Sequence, residues 1–302
     1  MKRYSFEEIT NCEMCGDPTD KHRILGQRLN QSQGLNPKNK SGISVSVKKC
    51  GLCELIYSSP LPIPENIQDH YGIPSEDYWK PDYFISNPTY LSGEIETIRN
   101  LLSKKEGMKA LDIGAGIGHS MQALEREGFD VYGFEPSESF YKKAITVMNI
   151  KSEKLKLGML ETVEYENNTF DVITIGAVFE HLYHPSFCLK KALAWVKPGG
   201  IIHIEVPSSN YLISKLINFY YFMRGTNYVT NISPMHPPFH LYEFGLKSFS
   251  ELENKMNFKI EKIQYHVCDI AFIPKILHPI FRKYMQLTDT GMQMSIYLRK
   301  NN

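Results

Sequence analysis

The stretch between residues 108 and 135 constrains this chain more than any other. Met108, Ala110, Leu111 and Ile113 form an apolar run that predicts a buried strand. The run ends in a turn carrying Gly114, Gly116 and Gly118, followed by a helical pattern from Ser120 to Glu127. A second apolar strand, Asp130 to Phe134, is closed by Glu135. Such a strand–loop–helix–strand unit opens a crevice over the strand ends, where glycine lets a ligand approach the backbone. A carboxylate at the tip of the second strand can accept hydrogen bonds from both hydroxyls of a ribose. The unit therefore predicts a nucleoside pocket.

Glycine spacing narrows the choice. The dinucleotide fingerprint requires G-x-G-x-x-G, whereas here the glycines fall as G-x-G-x-G and His119 stands where that pattern has its third glycine. Downstream, Phe170 to Ile175 reads as another buried strand, followed by Val178-Phe179-Glu180-His181-Leu182 and His184-Pro185. Trp195-Val196-Lys197-Pro198-Gly199-Gly200 then ends a helix and turns into the strand Ile201 to Val206. Taken in order, these segments resemble the class I S-adenosylmethionine (SAM) dependent methyltransferases over roughly residues 90–302.

That resemblance implies an α/β fold: a Rossmann-like, mostly parallel seven-stranded sheet with helices on both faces. It implies SAM as cofactor, with the backbone of Gly114, Ala115, Gly116 and Gly118 under its amino-acid part. Asp112 would fix the loop and the ammonium, and Glu135 with Pro136 would hold the ribose. Met159 and Leu160 fall where the family places an acid and its neighbour against adenine, and Gly176 closes the fourth strand. Methionine cannot accept a bond from the adenine amino group, so the Leu160 backbone or Glu161 would take that role.

Cysteine spacing points to a second module. Cys12 and Cys15, then Cys50 and Cys53, form two C-x2-C pairs separated by a loop. This is the spacing of a tetrahedral four-cysteine zinc site, each turn offering two thiolates. Disulfides are disfavoured in a reducing compartment, and a redox C-x-x-C opens a helix in a βαβ unit. With four protein ligands the zinc would be structural. The loop at residues 20–45 is rich in Asn, Gln, Gly, Ser and Lys and reads as dependent on the metal for order. Cys188 and Cys268 read as ordinary buried thiols.

The expected organisation is therefore a zinc ribbon at 1–60, a proline-rich connector at 61–89 and the methyltransferase domain at 90–302. The connector carries Tyr71, Tyr78, Trp79, Tyr83 and Phe84. Leu91, Ile95, Ile98, Leu101 and Leu102 recur at helical spacing. Residues 207–240 form an insertion after the fifth strand, whose Tyr211–Phe222 cluster reads as a helical lid packed on the core. Lys247 to Met256 reads as a helix, Phe258 to Val267 and Gln293 to Leu298 as strands, and Ile270 to Met285 as a helix broken at Pro279. At 302 residues and net charge +1, the chain is large enough for one main core plus an appendage and carries no global field toward nucleic acid or anionic lipid. Its N-terminus lacks the apolar region of a signal peptide, and its longest apolar stretch is too short to span a bilayer. A cytoplasmic enzyme is expected; no feature sets its oligomeric state.

A hydroxyl acceptor needs a base, and histidine has the fitting pKa. The candidates are His181, just past the fourth strand, and His236 and His240 at the end of the insertion, with His184 nearby. The prolines between His236 and His240 argue against a helical metal pair, and no second metal is expected. Two acceptor chemistries are disfavoured: the Asn/Asp-Pro-Pro-Tyr/Phe motif of base-amine methylation is missing after the fourth strand, as is a cysteine for pyrimidine C5 attack. A zinc ribbon ahead of this core, with His-Pro-Pro-x-His, resembles bacterial methyltransferases of sugar, polysaccharide and secondary-metabolite pathways. It is also similar to deoxysugar C-methyltransferases, which carry a further C-terminal domain. The expectation is O-methylation of a carbohydrate or related small acceptor. RNA methylation is the alternative, but residues 1–60 hold nine Lys/Arg against six Asp/Glu, a thin basic face for RNA. A non-catalytic binding protein that keeps the fold is the third reading.

Overall fold

The computed structural model describes residues 3–32, 34, 42–66, 68–71, 85, 87–102, 106–268 and 270–302. The connector aromatics Tyr78, Trp79, Tyr83 and Phe84 lie outside the described residues.

The N-terminal part contributes β1 (Tyr4–Glu7), β2 (Arg23–Leu29), β3 (Ser44–Lys49), β4 (Ile56–Ser59), β5 (Leu61–Pro64) and a single turn, α1 (Gln68–Tyr71). β1 pairs with β5, and β2, β3 and β4 form an antiparallel sheet. The sequence reading placed residues 20–45 in a loop, yet β2 lies wholly within that range and β3 begins in it. Polar Gln27 and Arg28 and a register shift between Ile24 and Gly26 blur the strand's alternation.

Beyond the connector, α2 (Ser92–Leu101) buries Ile95 and Ile98, as its spacing predicts. It leads into β6 (Lys109–Ile113), α3 (His119–Arg126), β7 (Asp130–Glu135), α4 (Glu138–Thr146), β8 (Leu155–Leu157) and β9 (Phe170–Gly176). Then come α5 (Pro185–Trp195), β10 (Val196–Pro207), α6 (Leu212–Met223), β11 (Tyr242–Glu243), α7 (Leu246–Glu253), β12 (Phe258–His266), α8 (His278–Leu287) and β13 (Gln293–Lys300). Seven strands form one sheet in the order β12-β13-β10-β9-β6-β7-β8, antiparallel only where β13 meets its two neighbours. This is the expected class I arrangement. Its central strands are largely apolar because helices cover both faces, with Asp112, Thr174 and Glu205 as polar exceptions toward their carboxyl ends. Leu111, Ile173 and Ile204 are fully buried, each contributing about 1.5–3 kcal/mol.

Several expectations shift. Pro279 does not break a helix; it stands in the first turn of α8, as Pro185 does in α5, where its missing N–H costs nothing. The strand expected at Ile201 begins at Val196, with an irregularity before Ile201. Cys268 is half-buried rather than buried, its thiol donating to Gln293 Oε1 at 3.0 Å. Helix α6 packs Ile213, Ile217 and Tyr221 against Ile270 and Met285, a small cluster of its own instead of the main core.

The cysteine-bearing segment shares the main apolar core: Cys12, Cys50 and Tyr57 belong to the same buried cluster as Leu111, Phe179 and Phe249. β11, from the far end of the insertion, pairs with β4 through Tyr242–Tyr57 and Glu243–Ile56, giving the sheet β11-β4-β3-β2.

Candidate active site

The site lies over the carboxyl ends of β6, β7, β9 and β10. At the end of β6, the buried Asp112 accepts a 2.6 Å bond from Thr174 Oγ1 on its Oδ1. Its Oδ2 is buried with no partner. Burial pushes the Asp112 carboxyl up to about 7, against the Thr174 bond that lowers it. The loop that follows needs its glycines. Gly114 has φ +70° and a Cβ there would strike Val178; Gly118 has φ +93° and a Cβ would sit 2.6 Å from Ile150. Gly116 and Ala115 lie between them, Ala115 buried.

At the tip of β7, the buried Glu135 accepts the N–H of Gly116 at 2.7 Å on one oxygen and that of Ser137 at 2.8 Å on the other. Burial raises this carboxyl to about 7, opposed by the two backbone bonds. Each oxygen keeps a lone pair beyond its backbone bond. Pro136 follows, its carbonyl accepting from Gln68 Nε2 at 3.1 Å. Leu160 is buried in the core, while the Met159 carbonyl already accepts the N–H of Val163 and of Thr162. Gly176, at the end of β9, is exposed with open space where a Cβ would stand.

Past β9, a single 3-10 turn (Phe179–His181) holds Glu180 and His181. The structure brings His240 to them across 59 residues of chain. The His181 and His240 rings meet edge to face at 5.0 Å, and His240 Nε2 stands 3.6 Å from Glu180 Oε1. His181 Nδ1 lies 3.2 Å from the carbonyl of Phe239. A carbonyl can only accept, so that nitrogen carries the proton and Nε2 the lone pair. Burial lowers His181 to about 4 and His240 well below its usual value, and raises Glu180 to about 8. Donor atoms of Glu180, His181 and His240 all lie within 4.8 Å of one another, a grouping the sequence reading, which weighed only His236 with His240, did not foresee.

His236 goes elsewhere. Its Nε2 accepts from Arg28 Nη2 on β2 at 3.1 Å, binding it to the cysteine-bearing sheet. His184 is exposed beside Glu13 at 3.3 Å. Two further residues were missed in the sequence. Glu205, near the end of β10, is paired in register with Gly176, and burial raises its carboxyl to about 7. Tyr90 rests against the His119 ring at 5.0 Å, its hydroxyl raised to about 12 by burial and by Asp112 and Glu205. An acid inside the apolar run Ile201–Val206 was the available signal for Glu205; Tyr90 had none.

The four cysteines converge within the same buried cluster as Phe179. Cys12 and Cys53 sulfurs are 3.5 Å apart, as are those of Cys15 and Cys50, and all four lie within 4.8 Å. A four-thiolate zinc site with metal–sulfur bonds of about 2.3 Å needs sulfurs about 3.8 Å apart, so the donor set fits. Hydrogen bonding ties the thiols to one another: the Cys53 bond holds Cys12 down to about 5, and the same bond pushes Cys53 up.

Comparison with known proteins agrees with this geometry. Residues 89–263 match the family described as methyltransferase domain. A ubiquinone biosynthesis O-methyltransferase of Coxiella burnetii is 28% identical over 171 residues, 53% of this chain and 67% of that protein. A demethylmenaquinone methyltransferase of Bacillus mycoides is 31% identical over 142 residues, 45% of this chain and 60% of its own length. Among solved structures, Haemonchus contortus phosphoethanolamine N-methyltransferase 2 in complex with SAM superposes with TM-score 0.51 at 16% identity, covering 82% of this chain and 63% of that one. A SAM-dependent methyltransferase from Methanosarcina mazei gives 0.50 at 16% identity, over 68% and 97%. These two likenesses speak for the fold. The chain belongs to the methyltransferase domain family, and its methyl donor is SAM. Among the described residues, no helix is long and apolar enough to cross a membrane.

Proposed function

We propose that this protein methylates a hydroxyl oxygen of a small acceptor placed between the SAM site and the Glu180–His181–His240 cluster. The observation that carries the cofactor site is Asp112 Oδ2, a buried acceptor with no partner beside the glycine loop, suited to the SAM ammonium. Glu135 would take the ribose hydroxyls on its remaining lone pairs, Gly114 to Gly118 with Ala115 would pass under the amino-acid part, and Pro136, Met159, Leu160 and Gly176 would border adenine and the methyl. Bound there, SAM supplies a methyl group on a sulfonium that needs only an in-line nucleophile. The protein's own task is to place the acceptor oxygen and take its proton. His181 Nε2, neutral and carrying a lone pair, can receive that proton, and the Glu180 carboxyl within 4.8 Å would supply a countercharge as it ionises.

An oxygen acceptor is supported by the names of relatives such as the Coxiella protein. A sugar or glycan-linked hydroxyl is the acceptor class to test first, and a phenolic one second. Zinc in the Cys12, Cys15, Cys50, Cys53 cluster would be structural, since four thiolates leave no open position. The deciding experiment is calorimetric titration of SAM and its demethylated product into wild type and Glu135→Ala. Micromolar binding weakened at least about thirtyfold in the variant is expected, the loss of charge-assisted hydrogen bonds; equal binding by both proteins overturns the assignment of Glu135.

A further inference from the structure

A cavity of about 660 Å³ lies between the cysteine-bearing sheet and helix α6, a size typical of small-molecule sites. Its lining contains Arg23, Lys49 and Lys215 and, among the described residues, no carboxylate. Arg23 on β2 and Lys49 on β3 are directly opposed in the antiparallel register. Like charges in that position destabilise a sheet pair, so the sheet holds here an arrangement that its own folding disfavours. Lys215, from α6, brings a third cation: its Nζ hydrogen-bonds Asn210 Oδ1, and burial followed by repulsion from Lys49 lowers its pKa. The nearest acid that Lys215 feels, Glu54, is already bonded to Lys247 at 3.0 Å. Four aromatic residues share the lining: Tyr211, Phe219, Phe222 and Tyr228.

We propose that this cavity is an anion subsite that takes a diphosphate carrying a ring or chain of apolar character. Three cations around one cavity match the two to three negative charges of a diphosphate, and bound anion relieves the Arg23–Lys49 repulsion. The aromatic residues take the organic part. The cavity wall is hydrogen-bonded into the segment that carries His240. Asn231, in its lining, donates to Glu243 Oε2 at 2.6 Å, and two residues on, Ser233 exchanges hydrogen bonds with the backbone of His240. Where the acceptor of the function proposed above itself carries the diphosphate, the subsite would anchor it; that clause alone rests on the methyl-transfer reading.

The test is titration of inorganic pyrophosphate, uridine diphosphate and geranyl diphosphate into wild type, Arg23→Gln and Lys49→Gln. At least one organic diphosphate should bind tighter than pyrophosphate and lose about tenfold or more in each variant. SAM affinity, measured in parallel, should be unchanged. Without ligand, each variant should melt no lower than wild type, because a like-charge pair has been relieved; the ligand-induced rise in Tm should shrink. Preference for the uridine compound identifies a nucleotide-linked acceptor, and preference for the geranyl compound an isoprenoid one. Binding of pyrophosphate alone, or binding unaffected by both substitutions, overturns the proposal. Failure of SAM to bind while diphosphate binding persists overturns the methyl-transfer reading and leaves the subsite standing.

Discussion

The two ends of the proposed site, one for the cofactor and one for the acceptor, are built in different ways. The cofactor end is local: Asp112, the glycine loop and Glu135 come from one strand–loop–helix–strand unit, and Glu135 is held by backbone within it or two residues on, with the Asp112 bond to Thr174 as the tie to β9. The acceptor end is a composite, in which His181 and Glu180 follow β9, His240 ends the insertion, and β11 anchors that insertion on the cysteine-bearing sheet. The difference teaches that the first end can keep its geometry through its own backbone, whereas the second holds only while three distant segments are packed together.

The sharpest way to break this comparison is to remove the cysteine cluster. Cys50→Ser, or a chelator acting on the proposed zinc, should lower the unfolding free energy by at least about 3 kcal/mol. Hydrogen exchange should accelerate first in residues 3–64 and 229–244, with the amides of β6 and β7 protected longest. Uniform loss of protection across both ends would show that they are equally dependent on the cluster. At the level of chemistry, His181→Ala should reduce kcat about 10²–10⁴-fold with SAM affinity retained, while His236→Gln, which alters a contact to Arg28, should leave kcat within a few fold. Equal kinetic losses in both variants would place the reacting oxygen elsewhere. Inside the cofactor end, Gly118→Ala should weaken SAM binding about tenfold or more, because φ +93° and the Ile150 side chain both oppose a Cβ; unaltered binding would mean that the loop has slack.

The smallest expected effect is on pH. Glu135 is raised to about 7 in the free protein, and ribose hydroxyls donating to it favour the charged form. SAM affinity should therefore rise with pH up to about 7 and level off above it. The free protein behaves oppositely: a carboxyl whose folded pKa exceeds its unfolded one contributes stability below pH 4.5 that is lost as pH rises through about 7. A SAM affinity flat from pH 5.5 to 8.5 would remove Glu135 from the binding equilibrium.

This asymmetry also governs what the sequence discloses. Gly114, Gly116, Gly118 and Glu135 are legible because their spacing along the chain is the site's spacing in space. The order of buried strands disclosed the sheet for the same reason. The meeting of His240 with His181, and the departure of His236 toward Arg28, depend on a loop path that no local periodicity encodes. β2 was hidden because its register shift and polar residues mask alternation, and Pro279 misled because a proline that opens a helix and one that breaks it look alike in a string. Glu205 was visible as an acid in an apolar run, a sign of a buried charge with a purpose.

The pairing of β11 with β4 has a consequence for how the chain is made. On a ribosome, Tyr57 emerges long before Tyr242, and at about 5–20 residues per second the interval is on the order of ten seconds or more. Throughout that time β4 offers an unpaired edge beside four thiols, open to a strand from another nascent chain. A metal captured early would hold β3 and β4 in place during the wait, which gives the cysteine cluster a task in biogenesis well before the first methyl group is transferred.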